Sequence, residues 1–155
     1  LEPIALDEHL PHLLQSFEER LQERQIQLTL EWQADLPPIA SDLTSFKRIV
    51  SELMNNACKY TPAGEKVAIH ARVDSPQYVC LRVSNSGVTL PDSELTRIFD
   101  KFYRVPSIDR WKQGGTGLGL ALVKSLLEQL GSRIVVQSDP NQVTFELYFP
   151  QFVSL

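Results

Sequence analysis

Residues Glu52 to Thr61 read ELMNNACKYT, and within them a carboxylate, an amide and an ammonium recur at Glu52, Asn56 and Lys59, spaced i, i+4 and i+7. That spacing puts all three on one stripe of a helix, away from the apolar side carried by Phe46, Ile49, Val50, Leu53, Ala57 and Tyr60. A solvated helix face has the same pattern. Two adjacent asparagines are nevertheless poor helix formers, and they call for a task for one of them. Further on, Gly114 to Leu122 reads GGTGLGLAL. Its glycines run into an apolar helix and leave backbone N–H groups unshielded at a helix N-terminus, where orphan donors and the macrodipole favour an anion such as phosphate. No Gly-Lys-Ser/Thr closes this stretch, and Gly115, Gly117 and Gly119 lack the dinucleotide spacing. A hinge before a buried helix is the alternative, at an entropic cost for each glycine. Between the two stretches lies IFDKFYR, Ile98 to Arg104. Here Phe99 and Phe102 read as core anchors, while Lys101 and Arg104 face either solvent or a phosphate. RVSNSGVTLP, Arg82 to Pro91, reads as a strand exit with a polar turn around Asn85 and Gly87.

The elements that must hold these residues can be read from periodicity. After an extended start at Pro3 to Leu6, Leu10, Leu13, Leu14, Phe17 and Leu21 mark one helix face. Its start is expected between Asp7 and Leu10, which leaves Pro11 in the first turn. Ile26, Leu28 and Leu30 alternate as a half-buried strand, ended by Pro37-Pro38. The chemistry-bearing helix is predicted from about Asp42 to Lys59. Val67 to Val73 and Tyr78 to Val83 form a predicted hairpin, Pro91 to Phe99 a short helix, and Leu118 to Leu130 an apolar helix stopped by Gly131. Ile134 to Val136 and Val143 to Phe149 close the chain as strands around Asp139-Pro140-Asn141. This order implies an α+β fold with helices on one face of a mixed, mainly antiparallel sheet of about five strands. Asp100 to Gly115 fits no packed element and reads as a lid.

At 155 residues and 43% hydrophobic, the chain suits a single domain over residues 1–155. A net charge of −4 leaves no broad electrostatic case for nucleic acid, and no segment is apolar for long enough to cross a membrane. Cys58 and Cys80 lack metal-ligand spacing and read as reduced, partly buried thiols of a cytoplasmic domain. The chain opens at Leu1 with no signal-peptide pattern, which reads as a piece of a longer protein. The piece itself is expected to be monomeric.

Taken together, ELMNNACKYTP, VSNSGVTLP, IFDKFYR and GGTGLGLALVK resemble the N, G1, F and G2 boxes of sensor histidine kinase catalytic domains, in that family's order across about residues 40 to 150. The details look like a variant common among cyanobacterial kinases. The resemblance implies the two-layer α/β sandwich called the Bergerat fold, with ATP and Mg²⁺ as ligands. It implies transfer of the ATP γ-phosphate to a histidine on separate dimerisation helices of the same protein, then relay to a response regulator receiver domain. It makes Asn56 the Mg²⁺ ligand, sets Lys59 at the phosphates and Tyr60 near the nucleotide, and gives Glu52 a part in orienting or deprotonating the acceptor imidazole. Arg104 reaches the γ-phosphate. Gly115, Thr116, Gly117, Leu118 and Gly119 close on the triphosphate, with Leu118 and Leu120 packing the helix behind. Asn85 and Gly87 face adenine. No His in this chain, whether His9, His12 or His70, sits in an acceptor context. Three positions depart from the pattern: Asn85 replaces an aspartate, Thr89 a second glycine, and Gln142-Val143 a Gly-Thr whose hydroxyl is expected to move to Thr144 or be lost. A degenerate module acting by protein contacts and an ATPase of the gyrase, Hsp90 or MutL type are the competing readings.

Overall fold

The computed structural model describes residues 1–103 and 118–154. Strand β1 (Glu2–Ile4) pairs antiparallel with β3 (Ile39–Ser41) in a two-stranded sheet. A five-stranded sheet has the order β2-β4-β5-β7-β6, built from β2 (Gln27–Trp32), β4 (Lys66–Val73), β5 (Tyr78–Ser86), β6 (Arg133–Asp139) and β7 (Gln142–Pro150). Only β2 and β4 run parallel, joined through helix α3 (Leu43–Tyr60). The other pairs are antiparallel, so the sheet is mixed and mainly antiparallel as the sequence implies.

Register decides which residues face the helices. Val79, Leu81, Val83 and Asn85 of β5 lie opposite Phe149, Leu147, Phe145 and Val143 of β7, and the apolar members of this set are buried in the core. Phe46 of α3 packs edge-on against Phe149 at 5.7 Å. The alternate residues form the other face, as the period of two requires. There Glu146 lies 3.6 Å from Arg82 and 4.0 Å from Arg72, and Arg133 stacks over Tyr148.

Helix α3 is held at its start by two carboxylates. Asp42 accepts from the Ser45 N–H and Glu2 of β1 accepts from the Leu43 N–H, which satisfies two of the orphan donors there. The Ser45 hydrogen bond also holds the Asp42 carboxyl below its ordinary pKa. Helix α5 (Gly119–Gln129) ends as expected at Gly131, whose φ of 71° completes a Schellman cap. In that cap the Ser132 N–H reaches the Leu127 carbonyl.

Three expectations change. The first apolar stripe belongs to two helices, α1 (Leu6–Gln15) and α2 (Glu18–Glu23). The break falls at Ser16, whose hydroxyl bonds back to the Leu13 carbonyl and competes with the helical ladder. Because α1 starts at Leu6, Pro11 sits in its second turn, where the carbonyl left without a donor belongs to exposed Asp7 and is open to water. The short helix after Pro91 is only α4 (Asp92–Leu95), followed by turns.

Candidate functional site

The polar stripe of α3 is not a solvated face. Lys47 and Arg48 near its start are exposed, but every residue from Ser51 to Tyr60 is at least partly covered. The two adjacent asparagines differ. Asn55 accepts a 2.7 Å hydrogen bond from Arg20 of α2, whereas no side-chain hydrogen bond among the described residues engages Asn56. Glu52 Oε1 accepts from Arg48 Nε at 2.9 Å, and the Glu52 side chain keeps only 19% of its exposure. Its other oxygen points at helix α5. A Cβ built on Gly119, the first residue of α5, would lie 2.7 Å from Glu52 Oε2. Glycine there lets the two helices approach, and any larger residue must displace the carboxylate. Among the described residues no side chain caps helix α5, and first-turn N–H groups at such a helix start can serve an external acceptor.

At the other end, α3 runs into Pro62 and Glu65, and these two pack on the turn after β5. Gly87 has φ 82°, and a Cβ there would lie 2.6 Å from Glu65 Cγ and 3.0 Å from Pro62 Cδ. The close approach expected at Gly87 is therefore made by this loop, which fixes the turn. Asn85, two residues earlier, is 7% exposed. No hydrogen bond among the described residues engages its side-chain amide, yet the amide is not among the buried polar atoms left without a partner, so it stays within reach of an external group. The stripe from Glu52 to Lys59 spans about 10 Å along the helix, with the start of α5 at one end and, past Pro62 and Glu65, the end of β5 that carries Asn85 towards the other. Lys59 and Tyr60 are half-buried at the latter end.

These residues fit ATP and Mg²⁺. Among the described residues no group of three His, Cys, Asp or Glu could hold a metal, so a divalent ion here would take the Asn56 oxygen and find its remaining ligands on phosphates and water. Asn85 offers an acceptor and a donor to a base edge.

The structure corrects three assignments. Thr144 lies opposite Ser84, on the face away from Asn85, so its hydroxyl cannot replace the one expected at position 143; Val143 faces Asn85 directly and has none. Leu118 precedes α5 and is 36% exposed, whereas Leu120 packs against the core. Phe99 packs edge-on against Phe145 at 6.3 Å as an anchor, but Phe102 adopts φ 65° and is 70% exposed. Arg104, Gly115, Thr116, Gly117 and the lid from residue 104 lie outside the described residues. Sequence reading missed Arg20, Arg48 and Glu65, which hold Asn55, Glu52 and the Gly87 turn. Only the i, i+4 spacing of Arg48 and Glu52 was available as a signal.

In this two-layer sandwich the start of α5 meets a half-buried carboxylate–amide stripe, an arrangement suited to an ATP-binding domain. Residues 41–152 match the histidine kinase-, DNA gyrase B- and HSP90-like ATPases, and the chain belongs to that family. It is 35% identical to the probable sensor kinase SilS of Salmonella typhimurium over 73% of this chain and 22% of that protein. The catalytic domain of histidine kinase ThkA, nucleotide free, superposes with a TM-score of 0.84 at 26% identity, covering 97% of this chain and 95% of that one. ThkA in complex with the response regulator protein TrrA matches with a TM-score of 0.81 at 24% identity, covering 97% of this chain and 42% of that one. The chain spans less than a third of the length of the curated relatives it matches.

Proposed function

We propose that this chain is the catalytic, ATP-binding part of a sensor histidine kinase, working in the cytoplasm. The observation that carries the reading is the contrast on α3: Asn55 is consumed by Arg20, while Asn56 beside it is left without a partner among the described residues, on the stripe whose Glu52 meets the start of α5. Asn56 would hold Mg²⁺, which would neutralise phosphate charge. Lys59 and the first-turn N–H groups of α5 supply further positive potential. Phosphoryl transfer is mostly positioning and charge neutralisation, and these groups provide both. An imidazole nitrogen on the dimerisation helices of the full-length protein attacks the γ-phosphorus, the bond to the bridging oxygen breaks, and ADP leaves. Glu52, held at one oxygen by Arg48, has its second oxygen free to orient that imidazole or accept its proton. Arg104 and Gly115 to Gly117 complete the phosphate end, Asn85 and Gly87 the base end. A response regulator receiver domain takes the phosphoryl group next. ThkA, which shares the fold, supports that partner class.

The test is autophosphorylation of the full-length protein with Mg²⁺-ATP. Asn56→Ala is expected to lower the labelling rate by about 100-fold, the scale of losing one electrostatic support of a transition state, with the melting temperature unchanged. A wild-type protein that binds no nucleotide sinks this reading and favours the alternative, a domain kept for protein contacts, which Val143 and its missing hydroxyl would then explain.

A further inference from the structure

The base end of the site is fastened to a turn far away in sequence. The β5–β7 ladder ends at the pairs Asn85 with Val143 and Ser86 with Gln142. Beyond it, the backbone of Asn141 in the β6–β7 turn is consumed twice by the loop leaving β5. Its carbonyl accepts from the Gly87 N–H at 2.9 Å, and its N–H donates to Thr89 Oγ1 at 2.8 Å. Asn141 reaches both because it sits at φ 67°, a conformation asparagine tolerates well. One residue later the Leu90 N–H donates to Ser138 Oγ at 2.8 Å. The opposite side of the same loop is closed by Glu65, whose carboxylate accepts from Ser86 Oγ at 2.7 Å, and by the Lys66 N–H, which donates to Ser86 Oγ.

We propose that Thr89 and Asn141 form a latch that preorganises the turn leaving β5 immediately after Asn85, making Thr89 a positioning residue for recognition of the nucleotide base. The inference rests on the nucleotide-binding reading above. The Asn85 amide selects a base edge only if its donor and acceptor arrive in place, and a turn ordered beforehand spares binding the cost of ordering it. Thr89 is exposed while Val88 and Leu90 on either side are buried. The hydroxyl therefore contributes nothing to the core, and its single hydrogen bond ties the loop to the β6–β7 turn. Thr89→Val keeps the shape and removes the acceptor. The exposed Asn141 N–H then turns to water, and the loop loosens without leaving a buried orphan.

The experiment measures, by calorimetry, binding of a non-hydrolysable ATP analogue and the matching GTP analogue to wild type, Thr89→Val and Thr89→Ser, with melting temperatures for each. The latch predicts that Thr89→Val binds the ATP analogue about threefold to tenfold more weakly, moves the ATP-to-GTP preference towards one, and melts within about 2 °C of wild type. Thr89→Ser, which keeps the acceptor, returns both values to within about twofold of wild type. Thr89→Val binding both analogues like wild type overturns the latch. So does weakened binding that Thr89→Ser fails to restore, because the hydroxyl is then not the cause. A wild-type chain that binds neither analogue overturns the nucleotide-binding reading, and the latch with it, so the two failures are distinct.

Discussion

Asn85 is the residue whose chemistry is most exposed to test. It is buried on the helix-facing side of β5, opposite a valine, and its amide has no partner among the described residues. An aspartate in its place would carry a charge into the same setting, where burial of the residue disfavours the ionised form. Asn85→Asp is therefore expected to lower the denaturant midpoint of the free chain. With adenine bound, the same carboxylate accepts a charge-assisted bond from the exocyclic amino group and repels the oxygen that guanine carries there. Charge assistance roughly doubles such a bond, so the affinity for an ATP analogue should rise about threefold to tenfold and that for a GTP analogue should fall. Calorimetric titrations of both variants with both nucleotides read this directly. An unaltered ATP-to-GTP ratio would reduce Asn85 to a strand residue with no part in base recognition. The two cysteines have no comparable role. Cys58 and Cys80 are free and buried, and burial pushes both thiols above their ordinary pKa, which leaves them protonated and unreactive near neutral pH.

Among the elements, α2 carries a local conflict between residue type and backbone. Its C-terminus closes in a Schellman motif, with the Ile26 N–H on the Leu21 carbonyl and the Gln25 N–H on the Gln22 carbonyl, and the residue at the left-handed position is Gln25 at φ 58°. A left-handed residue with a Cβ costs about 1–2 kcal/mol, and glycine gives back part of that as unfolded-state entropy. Gln25→Gly should thus stabilise the chain by about 0.5–1 kcal/mol, visible as a higher urea midpoint with an unchanged slope; a lower midpoint would mean that the glutamine side chain contributes more than its strain. This motif also shows where sequence reading stops. The cap of α5 was legible because Gly131 announces it, whereas Gln25 announces nothing. Helix α3 was legible because its apolar positions recur over many turns. The break between α1 and α2 was hidden because Leu14, Phe17 and Leu21 keep helical spacing across it, and β3 was missed because its strand character comes from pairing with β1, whose residues lie far away in sequence. In the site, the Glu52, Asn56 and Lys59 stripe could be read from spacing. The side of the sheet taken by Thr144 could not, since one step of register reverses it.

For the whole molecule, the binding reading makes a quantitative statement about stability. Mg²⁺-ATP that binds only the folded chain stabilises it by mass action, by about 2.7 kcal/mol at a ligand concentration one hundred times the dissociation constant. For a chain of this length each kcal/mol raises the melting temperature by about 2–4 °C, so saturation should lift it by about 5–10 °C, and the lift should grow with the logarithm of nucleotide concentration. The described parts of the site predict how that gain divides. Nucleotide with Mg²⁺ should stabilise wild type more than nucleotide with a chelator, because Asn56 offers the metal an oxygen that no neighbour among the described residues occupies. In Asn56→Ala the difference made by the chelator should largely vanish, while the part of the gain owed to the base end persists. In Asn85→Asp the base-end part should grow and the dependence on Mg²⁺ should stay as in wild type. A thermal titration of the three proteins, each with and without chelator, separates the two ends of the stripe in one experiment. Equal chelator effects in wild type and Asn56→Ala would move the metal elsewhere and remove the reason for the free asparagine on α3.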